Sequence, residues 1–141
     1  MPQLENSEVV RHVLHKLIDI SSRKTTEGYA VSTMQDLIKN LEKKYIFLKN
    51  VKITDTRFVE INEPVTVMSD INRIKMIEVG KALSDIIKTM NLSLGDEAGH
   101  FFIKELKNSI ATEYSKTIEE MGLNLGLMQL EFEINKMAKE L

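Results

Sequence analysis

Four side chains that can bind a metal ion recur near the start of the chain, at spacings of four, three and four residues. Imidazole and carboxylate groups are ordinary ligands of zinc and similar metals. In a helix these spacings bring all four into one narrow sector, but that sector lies opposite the apolar positions of the same segment. We therefore expect the sector to face solvent and to hold no metal, which leaves four weak candidate ligands: Glu8, His12, His15 and Asp19.

Glu97 and His100 have the Glu-x-x-His spacing that di-iron helical bundles use. Those bundles need the motif twice, together with two further glutamates, and the sequence has no second copy. Asp96 follows Ser93 by three residues, which is the spacing of a capping box, and acidic residues in a first turn oppose the positive end of the helix dipole. We therefore interpret this stretch as the start of a helix.

The composition of the chain excludes several classes of catalytic and binding chemistry. Cysteine is absent, which excludes a thiol nucleophile, a thiolate metal site and a disulfide framework. Neither a glycine-rich phosphate motif nor a serine-hydrolase elbow is present. No catalytic residue and no cofactor are predicted. The absence of cysteine favours a cytoplasmic location, and neither a signal peptide nor an apolar run long enough for a membrane span is expected.

The spacing of apolar residues predicts a mostly helical α+β fold. A length of 141 residues with 43% hydrophobic residues suits a single domain with a substantial core. Gly122 is expected to end the fourth of about five helices in a left-handed conformation. The predicted helices span 7–20, 32–44, 70–91, 94–121 and 124–140, with two or three antiparallel strands within 45–68.

Basic residues concentrate in one part of the chain. Residues 21–57 carry eight Lys or Arg against four acids, whereas residues 58–141 carry nine against fourteen. Within the basic part, STMQDLIKNLEKKYIFLKNVKI (32–53) resembles the recognition helix and first wing strand of winged helix-turn-helix proteins. The resemblance covers 22 residues and implies that the lysine side chains contact DNA phosphates: Lys39, Lys43, Lys44, Lys49 and Lys52.

The same segment departs from that family in one respect. The family has another helix directly before the recognition helix, and KTTEGYAV (24–31) is too short and too Gly-interrupted to predict one. Lysines on a solvated helix and on an edge strand, where they discourage aggregation, are the simpler interpretation.

The last stretch, LNLGLMQLEFEINKMAKEL (123–141), has apolar residues at alternating steps of four and three, as in a heptad seam. Its length favours a helix, while the alternation of Leu130, Phe132 and Ile134 leaves a strand open. Phe101 falls opposite the buried face of its own predicted helix. We therefore predict a partner interface that consists of Phe101, Leu127, Leu130, Ile134 and Met137.

These patterns predict a non-enzymatic, soluble interaction or regulatory domain that forms a homodimer. A winged-helix-like DNA-binding regulator that uses residues 32–57 is the alternative. A metal-binding helical protein or an enzyme is the third possibility. The patterns identify no further protein partner.

Overall fold

The computed structural model describes residues 4–54, 64–93 and 102–140. Within these ranges it confirms the mostly helical α+β fold, with six α-helices, two short strands and two 3-10 helices. The helices are α1 (Asn6–Lys24), α2 (Glu27–Leu41), α3 (Met76–Ser93), α4 (Phe102–Ser109), α5 (Thr112–Glu120) and α6 (Leu125–Glu140). The strands are β1 (Val51–Ile53) and β2 (Val65–Val67), and the 3-10 helices are Ile46–Asn50 and Ser69–Arg73.

Helix α1 is the longest helix and carries the apolar stripe that the sequence predicted. Its inward side chains are almost fully buried and belong to one connected hydrophobic cluster: Val9, Val10, Val13, Leu14, Leu17 and Ile20. The helix packs against α2, α3, α4, α5, β2 and the second 3-10 helix. Most of the described elements are therefore organised around α1.

Helix α2 begins five residues before the expected start at residue 32. The Thr26 side chain accepts a hydrogen bond of 3.1 Å from the Tyr29 N–H, which makes Thr26 the N-cap. Ser32 consequently lies inside the helix and caps nothing. The Gln35 side chain of the same helix donates to the Ile53 carbonyl at 2.9 Å, which links α2 to β1.

The prediction that residues 45–50 form a strand is wrong. Tyr45 and Leu48 are buried while Ile46 is 69% exposed, so burial repeats every three residues, as in a 3-10 helix. The Leu48 N–H donates to the Tyr45 carbonyl at 2.9 Å. The sheet is limited to β1 and β2, which pair antiparallel with Val51 opposite Val67 and Ile53 opposite Val65. The strand predicted around residues 57–61 lies outside the described residues.

Two predicted helices are interrupted. The segment 70–91 divides into the second 3-10 helix and α3. In the segment 94–121, residues 94–101 lie outside the described residues, and the remainder breaks at Ile110 and Ala111 into α4 and α5. Ala111 has an extended conformation, and its N–H donates to Nε2 of His12 on α1 at 3.3 Å. A side chain from a distant helix thus takes the donor that a continuous helix would use.

Gly122 ends α5 as predicted. Its φ is +87°, in the left-handed region. The Gly122 N–H donates to the Glu119 carbonyl and the Leu123 N–H to the Ile118 carbonyl, both at 3.0 Å. These two bonds form a Schellman motif, which turns the chain toward α6.

Gly80 allows α3 to approach the end of α5 closely. A β-carbon at Gly80 would lie 1.9 Å from the Met121 carbonyl oxygen, which is far inside any van der Waals contact. Because the obstacle is backbone, a side-chain rotation cannot relieve the clash.

We therefore expect Gly80→Ala to lower the free energy of unfolding by about 1–3 kcal/mol or more, as other overpacked sites do. Gly126→Ala is the matched control, since a β-carbon there meets its nearest neighbours at an ordinary 3.5 Å. Urea denaturation of the two variants measures the difference. Equal stability of the two variants would contradict the close approach of α3 and α5.

Candidate functional site

Helix α6 has two apolar faces, and only the inner face packs on the rest of the described chain. On the inner face Leu125 and Met128 are buried and Phe132 is half-buried. This face packs mainly against α4. The outer face carries four large apolar side chains that are between 50% and 65% exposed: Leu127, Leu130, Ile134 and Met137. We refer to these four as the α6 stripe.

The α6 stripe is continuous because each residue of a helix advances by about 100° around the axis. Steps of three, four and three residues keep the four side chains within one narrow sector, opposite Leu125, Met128 and Phe132. From Leu127 to Met137 the stripe is about 15 Å long, at 1.5 Å per residue. Single exposed apolar residues are normal, but an aligned row of four is typical of an interaction surface. Their role in an interface stays a prediction, and Phe101 lies outside the described residues.

The start of α6 is fixed by Asn124. Its side-chain oxygen accepts a hydrogen bond of 3.0 Å from the Leu127 N–H, which is the geometry of an N-cap. Since the cap sets the helix register, it also sets which residues face outward. The strand that the alternation left open is not formed, because residues 125–140 are helical.

Acidic residues flank the α6 stripe. From Leu125 to Asn135 the charged residues are Glu131 and Glu133. At about 100° per residue, one lies on each side of the stripe. Gln129 donates to Glu133 at 3.1 Å, which holds that carboxylate beside the helix.

The five lysines proposed for DNA are all exposed, but they do not share one element. Lys39 lies on α2, Lys43 and Lys44 directly after α2, Lys49 on the first 3-10 helix and Lys52 on β1. One feature agrees with the winged-helix family where the sequence predicted a departure: only Thr25 and Thr26 separate α1 from α2, so a helix does precede α2 directly. One feature departs from the family, because the first half of the expected first wing strand is the 3-10 helix Ile46–Asn50.

An open groove of about 530 Å³ lies between the two 3-10 helices and the start of α3. Its apolar surface comes from Tyr45, Ile46, Phe47 and Ile74. Its charged lining residues are Lys44, Lys49, Asp70, Arg73 and Glu78. We call this surface the basic groove, because the chain that forms one wall, residues 43–53, has four lysines and no acid. Sequence reasoning missed the groove, since a strand at 45–50 would have placed Ile46 and Phe47 on opposite faces.

One wall of the basic groove is held by Asp85 of α3. The Tyr45 hydroxyl donates to the Asp85 carboxylate at 2.6 Å, and the Lys44 ammonium donates to the same oxygen at 3.1 Å. Partial burial alone would raise the pKa of Asp85, but these two hydrogen bonds and the charge of Lys44 outweigh it and lower the pKa. Burial, and then the bond to Asp85, raises the pKa of Tyr45. The tyrosine therefore stays a neutral donor and fixes the wall.

One of the four weak metal candidates departs from the expected arrangement toward solvent. His12 does not point to solvent, because its ring stacks on Tyr114 with a centroid distance of 4.0 Å and an interplanar angle of 7°. Its Nε2 accepts the Ala111 N–H. His15 Nε2 lies 3.7 Å from an Asp19 carboxylate oxygen. Among residues 4–54, 64–93 and 102–140, no three His, Asp or Glu side chains are grouped so that they could hold a metal ion.

His12 joins α1 to α5 in its neutral form. Burial lowers the pKa of His12, and the positive charge of Lys16 lowers it further, against the opposing charge of Glu113. Protonation would convert Nε2 from an acceptor into a donor that faces the Ala111 N–H. The folded state therefore disfavours the imidazolium.

We expect His12 to make the free energy of unfolding fall as the pH drops. Because the pKa is lowered from 6.5 on folding, the unfolded chain binds the proton first, and stability is lost as the pH falls through 6.5 toward the folded value. Urea denaturation between pH 7.5 and pH 5.5 should show a shallower loss in His12→Gln than in the wild type. The control Thr89→Gln, at an exposed position on α3, keeps His12 and its neighbours and should retain the wild-type slope. An unchanged slope in His12→Gln would contradict this assignment.

No helix within the described part of the chain is both long enough and apolar enough to cross a membrane. No family model matches the chain, and neither a curated protein nor a solved structure is significantly similar to it.

Proposed function

We propose that this chain is a non-enzymatic interaction domain with a regulatory role, and that it forms a homodimer through the α6 stripe. One observation carries the proposal: four aligned, large apolar side chains are at least half exposed on the face of α6 that points away from the chain's own core. Water around such a row is released when a partner covers it, and that release is the main driving force of association.

The size of the α6 stripe limits the affinity that it alone provides. Fully burying a large apolar side chain contributes roughly 1.5–3 kcal/mol, so covering a half-exposed one contributes about 1 kcal/mol. Four such side chains from each of two copies give about 8 kcal/mol. Lost translational and rotational freedom costs roughly 4–15 kcal/mol. The stripe therefore directs association, and a tight dimer requires additional contacts.

Substitution of Ile134 tests the proposal. We expect Ile134→Asp to raise the dissociation constant at least about tenfold, because a charge in a dry interface is left without its solvation. Ile134 is 54% exposed, so the free energy of unfolding should change by less than about 0.5 kcal/mol. Sedimentation velocity over a concentration series measures association, and thermal unfolding of the dilute protein checks the fold.

Thr89→Asp is the matched control, since it places the same charge at an exposed position on α3. It should associate like the wild type. A wild type that stays monomeric at high concentration would refute the proposal, as would an Ile134→Asp variant that unfolds, because that result would place Ile134 in the chain's own core.

The exposure of all five lysines favours a second candidate function, that of a DNA-binding regulator that uses residues 32–57. In this case counterion release would dominate, so log affinity would fall linearly with log salt, by a slope of about −0.9 per phosphate neutralised. Since the lysines are spread over four segments, we expect a slope of roughly −2 to −4.

Binding to random duplex DNA over a range of salt concentrations tests this candidate. Lys43→Ala should reduce the magnitude of the slope by about one, and the control Lys104→Ala, at an exposed position on α4, should leave it unchanged. Binding no tighter than millimolar at low salt would exclude DNA as the partner.

A further inference from the structure

The described residues form two exposed apolar surfaces whose flanking charges differ, acidic on the first and mainly basic on the second. The α6 stripe is apolar and has Glu131 and Glu133 on its two sides. The basic groove is apolar and has Lys49 and Arg73 on its rim. We infer that the surface that covers the α6 stripe is the basic groove of a second copy of this chain. This inference rests on the proposed self-association and specifies which surfaces meet.

Antiparallel pairing of one stripe with another is electrostatically unfavourable. The register that uses all four side chains places Leu127 opposite Met137 of the copy and Leu130 opposite Ile134 of the copy. The same register places Glu131 opposite Glu131 and Glu133 opposite Glu133. Like charges in facing positions destabilise a helix pair and select against it.

Parallel pairing of two stripes avoids that repulsion but offers an opposite charge to only one of the two glutamates. In the heptad pattern of the stripe, Glu131 then lies near Gly126 of the copy and Glu133 near Ala138 of the copy. The Lys107 ammonium lies beside Gly126, so Glu131 could meet that lysine of the copy, whereas Ala138 offers Glu133 no partner. Pairing of stripe on stripe therefore leaves at least one acidic flank of each copy without a counter-charge.

The basic groove offers both kinds of contact that the stripe needs. Ile46 is 69% exposed, and Phe47 and Ile74 are partly buried beside it. These three side chains provide an apolar floor. Lys49 and Arg73 are exposed at the rim, where they could meet Glu131 and Glu133.

The acids at the groove neutralise only part of the positive charge of Lys49 and Arg73. Glu78 lies 3.6 Å from the Lys81 ammonium, and Asp85 is already bound by Lys44. Among the described residues that line the groove, Asp70 is the remaining acid. The groove therefore keeps a positive rim toward an incoming helix, and its volume of about 530 Å³ is within the usual range for a binding cleft. Docking of one apolar helix face in such a groove is a common recognition mode.

The contact between stripe and groove joins two different surfaces, and a two-fold dimer that is built on it would contain it twice, with each copy's α6 in the other's groove. Two such contacts use both stripes and both groove floors, whereas one pair of stripes uses the stripes alone. They also add ion pairs at the rims. This arrangement supplies the additional contacts that a tight dimer requires.

Complementation between two defective variants tests the inference. Ile134→Asp disables the stripe and keeps the groove, and Ile46→Asp disables the groove and keeps the stripe. Each variant alone should be monomeric by sedimentation velocity. An equimolar mixture should form a 1:1 complex through the one intact contact, at least about tenfold weaker than the wild-type dimer. If Ile46→Asp alone dimerises like the wild type, the groove is not the partner surface and the inference fails.

Disulfide trapping gives a second readout that does not depend on the strength of a single contact. Because the chain has no native cysteine, each variant carries only the thiol that is introduced. A mixture of Ile134→Cys and Lys49→Cys should form a mixed disulfide on mild oxidation, faster than either variant forms a disulfide with itself. Rapid self-linking of Ile134→Cys, without the mixed product, would instead show stripe against stripe.

These outcomes separate the two claims. A monomeric wild type refutes both the self-association and the role of the groove as its partner surface. The partner of the stripe would then be a different protein. An associating wild type that is disrupted by Ile134→Asp but not by Ile46→Asp supports the proposed function and refutes the groove as its partner.

Discussion

Burial of helix α1 along about half of its circumference is the constraint on which the rest of the structure depends. No single neighbour could cover that much apolar surface, so α1 is enclosed by α2, α3, α4, α5, β2 and the second 3-10 helix together. Helix α6 is held mainly by α4, at the margin of this arrangement. Because the other elements already enclose the core, α6 contributes only Leu125, Met128 and part of Phe132 to the core. Its other apolar face stays at least half exposed beside the described residues.

Periodicity predicted the features that depend on neighbouring residues. The apolar face of α1 and the left-handed Gly122 could be recognised because spacing and conformational preference are local properties. The break between α4 and α5 could not, since it involves His12 and Ala111, which are 99 residues apart. The 3-10 helix at Ile46–Asn50 was missed for a similar reason: Tyr45 is directed inward by its bond to Asp85, 40 residues away. Alternation of residue types alone suggested a strand there.

The candidate surfaces show the same difference between features that are local in the sequence and features that depend on distant residues. Steps of three and four residues revealed the α6 stripe, because all of its members belong to one helix. The basic groove combines Ile46 and Phe47 with Ile74 and Arg73, from segments whose proximity is set by the β1–β2 pairing and by α1. No local pattern marks such a site. Charge was the one feature of the sequence that indicated the groove, since KKYIFLKNVK (43–52) has four lysines and no acid. The same concentration of lysines also indicated DNA binding.

Hydrogen bonds tie both walls of the basic groove to helices of the core. Tyr45 and Lys44 fix one wall to Asp85 on α3. The other wall is fixed by Asn6 of α1, whose buried amide donates to the Ile71 carbonyl at 3.0 Å and to the Ile74 carbonyl at 2.7 Å. Asn72 reinforces this link by accepting the Ser7 N–H at 2.8 Å. A groove that is already ordered costs less conformational entropy on binding than a loop that must be immobilised. Helix α6 is ordered as well, because Asn124 fixes its register. Association of the two surfaces would therefore lose little conformational entropy in addition to the translational and rotational entropy that is lost when two copies associate.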